Sequence, residues 1–422
     1  MKSRDVSIVR TLALVTVLVV LAAAILAVPG QRQPSRVVAQ TTLGGPLAGL
    51  TSGQMLHFTT GQTQFNFPWD PVHGLGPVYT QTKCNLCHIK TATAGPVSGG
   101  FNGDSAFFST TFGTLNSDGS FNPLTNEGGP LLQKLSVNKF ISGCPLPGEI
   151  IPGDATIVAK HMPPALFGDG LIDSIPDNSI LANVGSKGFG INGVANMVQD
   201  YNGVTRVGRF GLKAQFASLL QITGMAFGHE TAVTNPVVPV EDLPQGKSIP
   251  LSCVKRSVPN DPQGAETMQI FDFLVYLAPV TPGTGNSNGQ ALFTTVGCAL
   301  CHNPTYTTNT AVSIPSDFAG HFNGPITALS NQQVNLYSDL LLHDMGTALS
   351  DKIPQGLASG SQWRTPPLWG LSQRTVFLHD GRAKDLNTAI QDHGGEATQV
   401  LANFNALSQQ DQADLIAFIS SL

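Results

Sequence analysis

Two five-residue runs carry the chemistry of this chain: Cys84-Asn85-Leu86-Cys87-His88 and Cys298-Ala299-Leu300-Cys301-His302. Cys-x-x-Cys-His is the spacing at which two thiols add across the vinyl groups of a haem while the adjacent imidazole binds its iron. From Cys84 to Cys298 is 214 residues, whereas the two Cys-x-x-Cys pairs of a structural zinc site stand about 15–20 residues apart. A thioredoxin-like dithiol has no use for a histidine after each pair. The motifs therefore predict two covalently bound haem c groups, held by Cys84, Cys87, Cys298 and Cys301, with His88 and His302 as proximal iron ligands.

The other two of the six cysteines are Cys144 and Cys253. In an oxidising compartment leftover cysteines pair more often than they serve as ligands. Such a compartment is what the N-terminus suggests: Lys2, Arg4 and Arg10 precede an uncharged apolar run from Thr11 to Pro29, with a small-x-small site at Val37-Val38-Ala39. That is the charge-then-apolar pattern of export, read as a signal peptide or N-terminal anchor over residues 1–39. The expected location is the periplasm or another extracytoplasmic space, with membrane anchoring left open.

Composition narrows the classes further. Charged residues make up 12% of the 422-residue chain and the net charge is −5, against about 25% charged in an ordinary soluble domain. A basic footprint for nucleic acid is missing, and so are the charge runs of a disordered tail or an exposed coiled coil. With 45 Gly and 29 Pro, much of the chain must be loop. Large apolar cofactors give such loops something to wrap.

The elements that position the motifs recur. Tyr79 and Phe293 each stand five residues ahead of a first cysteine, and Pro163-Pro164-Ala165-Leu166-Phe167-Gly168 is echoed by Pro366-Pro367-Leu368-Trp369-Gly370. Each half ends in an apolar helix, one around 266–277 and one around 414–422, the second with Ser408 and Asp411 placed to cap its start. A Pro/Gly/Ser-type linker from Pro279 to Gly289 marks a boundary near residue 280. The expectation is a mainly α fold with few short strands and long loops. It comprises two cytochrome c-like domains, at 40–280 with a long insertion and at 281–422.

Further motifs resemble a known family. Leu341-Leu342-His343-Asp344-Met345-Gly346, Trp363-Arg364-Thr365-Pro366-Pro367-Leu368-Trp369-Gly370-Leu371, Phe377-Leu378-His379-Asp380-Gly381-Arg382-Ala383 and His393-Gly394-Gly395-Glu396-Ala397 are the most telling. Gly170-Leu171-Ile172-Asp173 and Gly208-Arg209-Phe210-Gly211-Leu212-Lys213-Ala214 look the same in the first half. From about Gly74 to Leu422 the chain resembles the bacterial di-haem oxidoreductases, relatives of the di-haem cytochrome c peroxidases.

That resemblance implies a C-terminal electron-transfer haem with His302 and a distal Met345, for which His343 is the rival. A thioether raises the potential of such a centre. It implies an N-terminal catalytic haem, with Glu230 in Gly228-His229-Glu230-Thr231 moving the proton between the two peroxide oxygens. The chain departs from the family at Thr231, where Met is usual, and at Val207, where an Asp would precede Gly208. It has no histidine between His88 and His161 to cap the first iron, so His161, Met162 and His229 are the candidates. Arg364 and Arg382 could pair with haem propionates, since guanidinium binds carboxylate bidentately. Trp69 could lie between the haems or simply pack in the core.

The implied activity is that of a peroxidase-like oxidoreductase. A small cytochrome or cupredoxin would supply electrons, and hydrogen peroxide would be the substrate. The alternative is a di-haem electron carrier with both irons six-coordinate. A third likeness, to the di-haem enzyme that matures methylamine dehydrogenase, would put a tyrosine where Met345 stands.

Overall fold

Two pairs of packed helices, one in each half, stand beside the Cys-x-x-Cys-His runs. The computed structural model describes residues 43–88, 108–254, 258–312 and 326–422, with the backbone of 35 and 36. The apolar run Thr11–Pro29 and the small-x-small site at 37–39 lie outside them. No described helix is long and apolar enough to cross a membrane. Both motifs and everything around them belong to one compact unit, residues 36–422.

Nine α-helices occur among the described residues: α1 (Ser52–Phe65), α2 (Asp169–Asp173), α3 (Asp177–Leu181), α4 (Leu219–Glu230), α5 (Ala265–Val275), α6 (Ser287–Val296), α7 (Leu386–Gln391), α8 (Thr398–Asn405) and α9 (Gln409–Ser420). Helix α1 starts at a capping box, in which the Thr51 hydroxyl accepts from the Gln54 N–H and the Gln54 side chain accepts from Thr51 N–H. Its buried residues Gln54, Phe58, Gly61 and Phe65 fall at spacings of four, three and four, one stripe of an otherwise polar helix. The stripe packs on α5, where Phe273 meets Phe58 at 5.2 Å and Phe65 at 5.0 Å between ring centroids. A side chain at Gly61 would collide with the α5 backbone, so glycine permits the close crossing. Burying each of these rings stabilises by roughly 1.5–3 kcal/mol.

The second half repeats the arrangement with α6 and α9. Phe293 packs edge-on to Phe418 at 5.5 Å, and Gly289 lets α6 approach the α9 backbone at Asp414. The Ser408 hydroxyl accepts from the Asp411 N–H, the capping expected from the sequence. Phe293, Val296, Leu368, Phe404, Leu415, Phe418, Ile419 and Leu422 form a core of their own. The larger core joins the halves, because Tyr306, Ile326, Leu336, Leu341 and Trp369 pack with Phe167, Phe271 and Tyr276.

The fold is mixed α and β, which corrects the expectation of a mainly α chain. Among the described residues, six small sheets of two or three strands accompany the helices. Ser109–Leu115 pairs antiparallel with Ile157–His161, in register from Ser109↔His161 to Gly113↔Ile157, and its far end pairs with Phe121–Asn122. Leu342–Asp344 pairs with Gln362–Arg364, setting His343 opposite Trp363. Most of these strands are two to five residues long and many find partners far along the chain. Too few alternations fit in such segments to show a period of two, so the pattern is nearly silent in the sequence.

Candidate functional site

Each Cys-x-x-Cys-His run folds into a single tight 3-10 turn. In the first, His88 N–H donates to Cys84 O at 3.0 Å; in the second, His302 N–H donates to Cys298 O at 2.9 Å. The first turn is tied to the end of α1 by Asn85 Nδ2 donating to Asn66 Oδ1 at 2.6 Å. The second follows α6 directly through Gly297, whose φ of +110° and close neighbours Phe189 and Val400 leave no room for a side chain.

An aromatic from the preceding helix backs each imidazole. Phe65 lies 6.3 Å from His88 and Phe293 lies 6.3 Å from His302, with similar tilts of 52° and 56°. The counterpart of Phe293 is thus Phe65 and not Tyr79, which matches it in spacing alone. Tyr79 sits in the strand Val78–Tyr79, paired with Leu135–Ser136 and buried in the core. Trp69 likewise packs in the core, against Phe227 at 4.8 Å and Phe67 at 5.1 Å.

Both histidines are held neutral. Burial pushes His88 down to about 4 and His302 down to about 4, and neutral imidazole is the form that binds a metal. Nδ1 of His302 donates to Tyr337 O at 3.0 Å, which leaves Nε2 with the free lone pair. The carbonyl of Pro164 lies toward Nδ1 of His88 and raises its basicity, short of a well-formed hydrogen bond. Burial also pushes the thiols of Cys84, Cys87 and Cys298 up to about 12.

A cavity opens over each turn. The first, about 570 Å³, is lined by Cys84, Cys87, His88, Phe65, Glu230, His229 and His161. The second, about 270 Å³, is lined by Cys298, Cys301, His302, Phe293, Met345, His379 and His393. They share a wall made of Met162, Pro163, Pro164, Ala165, Leu212, Trp363 and Arg364.

Glu230, the last residue of α4, lies close enough to the first motif that its charge raises both thiols there. Burial raises its own carboxyl above the ordinary glutamate range, opposed by the Thr80 hydroxyl and by His229. Its backbone carbonyl accepts from Thr80 and Gln81 N–H at 2.7 and 3.1 Å, fastening α4 to the segment that leads into Cys84. The neighbouring His229 is bound to Asp242 at 2.7 Å through Nδ1. His161 uses both ring nitrogens, on Thr111 at 3.3 Å and Asp351 at 3.0 Å, so it has no lone pair to offer an iron.

In the second cavity the rival His343 is also fully engaged. Its Nε2 meets Asp339 at 3.0 Å and its Nδ1 meets Glu396 at 2.8 Å. Burial works against its charge, but these carboxylates and the Cys301 sulfur hold it protonated, near 11. Met345 lines this cavity too. So does His393, from the His393-Gly394-Gly395-Glu396 run, whose position in the chain alone points to no role at the cavity. Nδ1 of His393 meets Ala389 O at 2.7 Å, and its field depresses His302. The spacing from Cys301 gave no warning of it, since only the fold of α7 brings the ring to the cavity.

The arginines separate. Arg364 is buried in the shared wall, with Nε donating to Gly211 O at 2.8 Å and Nη1 without a partner. Asp169, in the first cavity, is its nearest counter-charge; burial raises that carboxyl to about 7. Arg382 lines neither cavity: it is partly exposed and occupied by Asp380 at 2.7 Å and Ala348 O at 2.8 Å. Arg374, which sequence reasoning passed over, lines the second cavity, where burial lowers it to about 10.

Two thiols, a neutral imidazole with a free lone pair and an orphaned buried guanidinium Nη1 fit a haem with its carboxylate arms. The family model described as "Di-haem oxidoreductase, putative peroxidase" matches residues 139–422. The chain belongs to the di-haem oxidoreductase family. The matched region takes in Glu230, the shared wall and the second motif; the first motif precedes it. No curated protein matches the sequence. Among solved structures, hydrazine synthase of Kuenenia stuttgartiensis is similar at 14% identity and TM-score 0.36, over 94% of this chain and 98% of that one. A MauG-like protein associated with microbial copper homeostasis is similar at 13% identity and TM-score 0.39, over 94% of each chain.

Cys144 and Cys253 form a disulfide. The pair lies in the larger core and lines neither of the two cavities.

Proposed function

We propose that this di-haem oxidoreductase is an exported c-type cytochrome with peroxidase-like activity, the first cavity catalytic and the second an electron-transfer centre. The observation that carries the reading is the shared wall. Two cavities, each with its own Cys-x-x-Cys-His turn, meet at Trp363 and Arg364, and a carboxylate stands in the first.

Cys84 and Cys87 would tether one haem and Cys298 and Cys301 the other, with His88 and His302 each offering a neutral nitrogen. Bound haem supplies the redox-active iron at which electrons are stored and peroxide is reduced. Glu230 would take the proton from one peroxide oxygen and return it to the other as the O–O bond breaks, and with two electrons and two further protons both oxygens leave as water. Its raised basicity suits a group that must both accept and give a proton. Arg364 offsets a haem carboxylate in the wall, which would satisfy Nη1. Electrons from a small cytochrome or cupredoxin would enter at the second centre and cross through Trp363.

Met345 and His393, both in the second cavity, are the residues that would supply a further ligand to its haem. The bonds from His161 to Asp351 and Thr111 occupy both of its ring nitrogens, which supports an open catalytic position over one capped by His161.

The test is peroxide addition to half-reduced protein, followed by absorption and paramagnetic resonance, with turnover measured using a reduced small c-type cytochrome. A spectral change at one haem and steady consumption of peroxide are expected. Two low-spin haems indifferent to peroxide would make the protein an electron carrier.

A further inference from the structure

We propose that Lys213 guards Trp363: its ammonium, fixed over one face of the indole, keeps the ring from being oxidised while electrons cross the wall between the cavities. The inference rests on the reading of Trp363 as the inter-haem path and assigns a positioning residue to it.

Lys213 is almost wholly buried, at 1% exposure. Its Nζ donates to Asp351 Oδ1 at 3.0 Å, to Ser359 O at 2.8 Å and to Gly360 O at 3.1 Å. Those bonds use all three protons, so the group is neither a proton source for substrate nor free to swing away. The same nitrogen lies 4.1 Å from the Trp363 ring centroid. His379 is stacked on Trp363 at 3.7 Å and 17°, which fills one face and leaves the ammonium the other. The indole N–H donates to Leu349 O at 2.9 Å, fixing the ring in its plane.

The order of groups across the wall is therefore Lys213 from the first cavity, Trp363 in both, and His379 from the second. A cation over an indole is attracted to the neutral ring, through its negative face. Removing an electron from the ring would set a positive charge beside that cation, in surroundings that screen poorly. Oxidation of the ring is opposed, and the ring keeps its place in the wall between the cavities. Asp351 makes the buried lysine tolerable and shares its own charge with His161, at 3.0 Å from Asp351 Oδ2.

The holoprotein is treated with hydrogen peroxide and the peptide containing Trp363 is weighed by mass spectrometry. In the product the peroxide O–O bond has broken, one oxygen has joined the indole and the other has left as water; the ring has lost two electrons and the peroxide has gained them. Lys213→Gln should accumulate on the order of tenfold more oxidised Trp363 than the native chain, the size of a desolvated cation–π effect, and Lys213→Arg should stay at the native level. If Lys213→Gln fails to fold, the neutral pair Lys213→Gln with Asp351→Asn leaves no buried carboxylate stranded and gives the same measurement. Native-level oxidation in the folded Gln variant or in the neutral pair overturns the proposal. An equal rise in the Gln and Arg variants overturns it too, since packing and not charge would then be protecting the ring. The path has its own readout: if Trp363→Phe leaves inter-haem transfer unchanged, the relay fails while the Lys213 result stands.

Discussion

The imidazole of His379 lies flat on the indole of Trp363, 3.7 Å between centroids. One ring faces the second cavity and the other belongs to both. Their contact closes the gap between two sites whose motifs are 214 residues apart in sequence, and it depends on the pairing of Leu342–Asp344 with Gln362–Arg364.

If electrons pass through that contact, Trp363→Phe should slow transfer between the haems by about tenfold, equivalent to 1.4 kcal/mol on the barrier. Flash reduction of the second haem, followed at the first, measures it. A rate equal to that of the native protein would move the path elsewhere in the wall.

Glu230→Gln should cut peroxide turnover by about 10²–10⁴-fold, the range for a lost general acid–base group. Both haem spectra should remain. Because burial raises the Glu230 carboxyl, the basic form that accepts the first proton appears later on the pH scale than for an ordinary glutamate. Peroxide reduction should therefore rise with pH through a midpoint above 4.5 and lose that limb in the Gln variant. An unchanged profile would take Glu230 out of the mechanism.

Met345→Ala and His393→Ala should divide the second haem's sixth ligand between them. If the thioether binds, the first variant lowers the reduction potential and the second leaves it near the native value. If the imidazole binds, only His393→Ala alters the low-spin spectrum. Potentiometric titration with paramagnetic resonance decides between them.

Asp351 joins Lys213 and His161 in the wall. Burial opposes its charge, but these partners win and hold the carboxyl below its ordinary value of 3.8. The folded state therefore binds its proton less readily than the unfolded chain. The stabilisation is complete above the unfolded value and is lost as pH falls through the lower folded one. Asp351→Ala, which strands a buried ammonium, should cost about 3–5 kcal/mol near neutral pH. Denaturant titration at pH 7 and again below pH 4 should show the gap between native and variant protein narrowing in acid.

The sequence by itself determined the two Cys-x-x-Cys-His runs, because each keeps its thiols and imidazole within five consecutive residues. It also determined the caps and the closing helices, which are local: Ser408 finds Asp411 within one turn. Glu230 was legible through its family-like run, and the structure brings it beside Cys84 and Cys87. What only the tertiary structure decided is everything built from distant pieces. The short strands, and with them the mixed fold, needed partners some 50 residues away, as between Ser109 and His161. Phe65 replaced Tyr79 as the counterpart of Phe293, since a helix crossing and not a count of residues sets a ring against His88. His343 was removed as a ligand by two carboxylates, and His393 was brought to the cavity by α7. Arg364 went to the wall and Arg382 to the surface, although both stand in equally telling motifs. Such choices turn on which side chains lose their water and meet a partner, and that is fixed only when the chain has closed on itself.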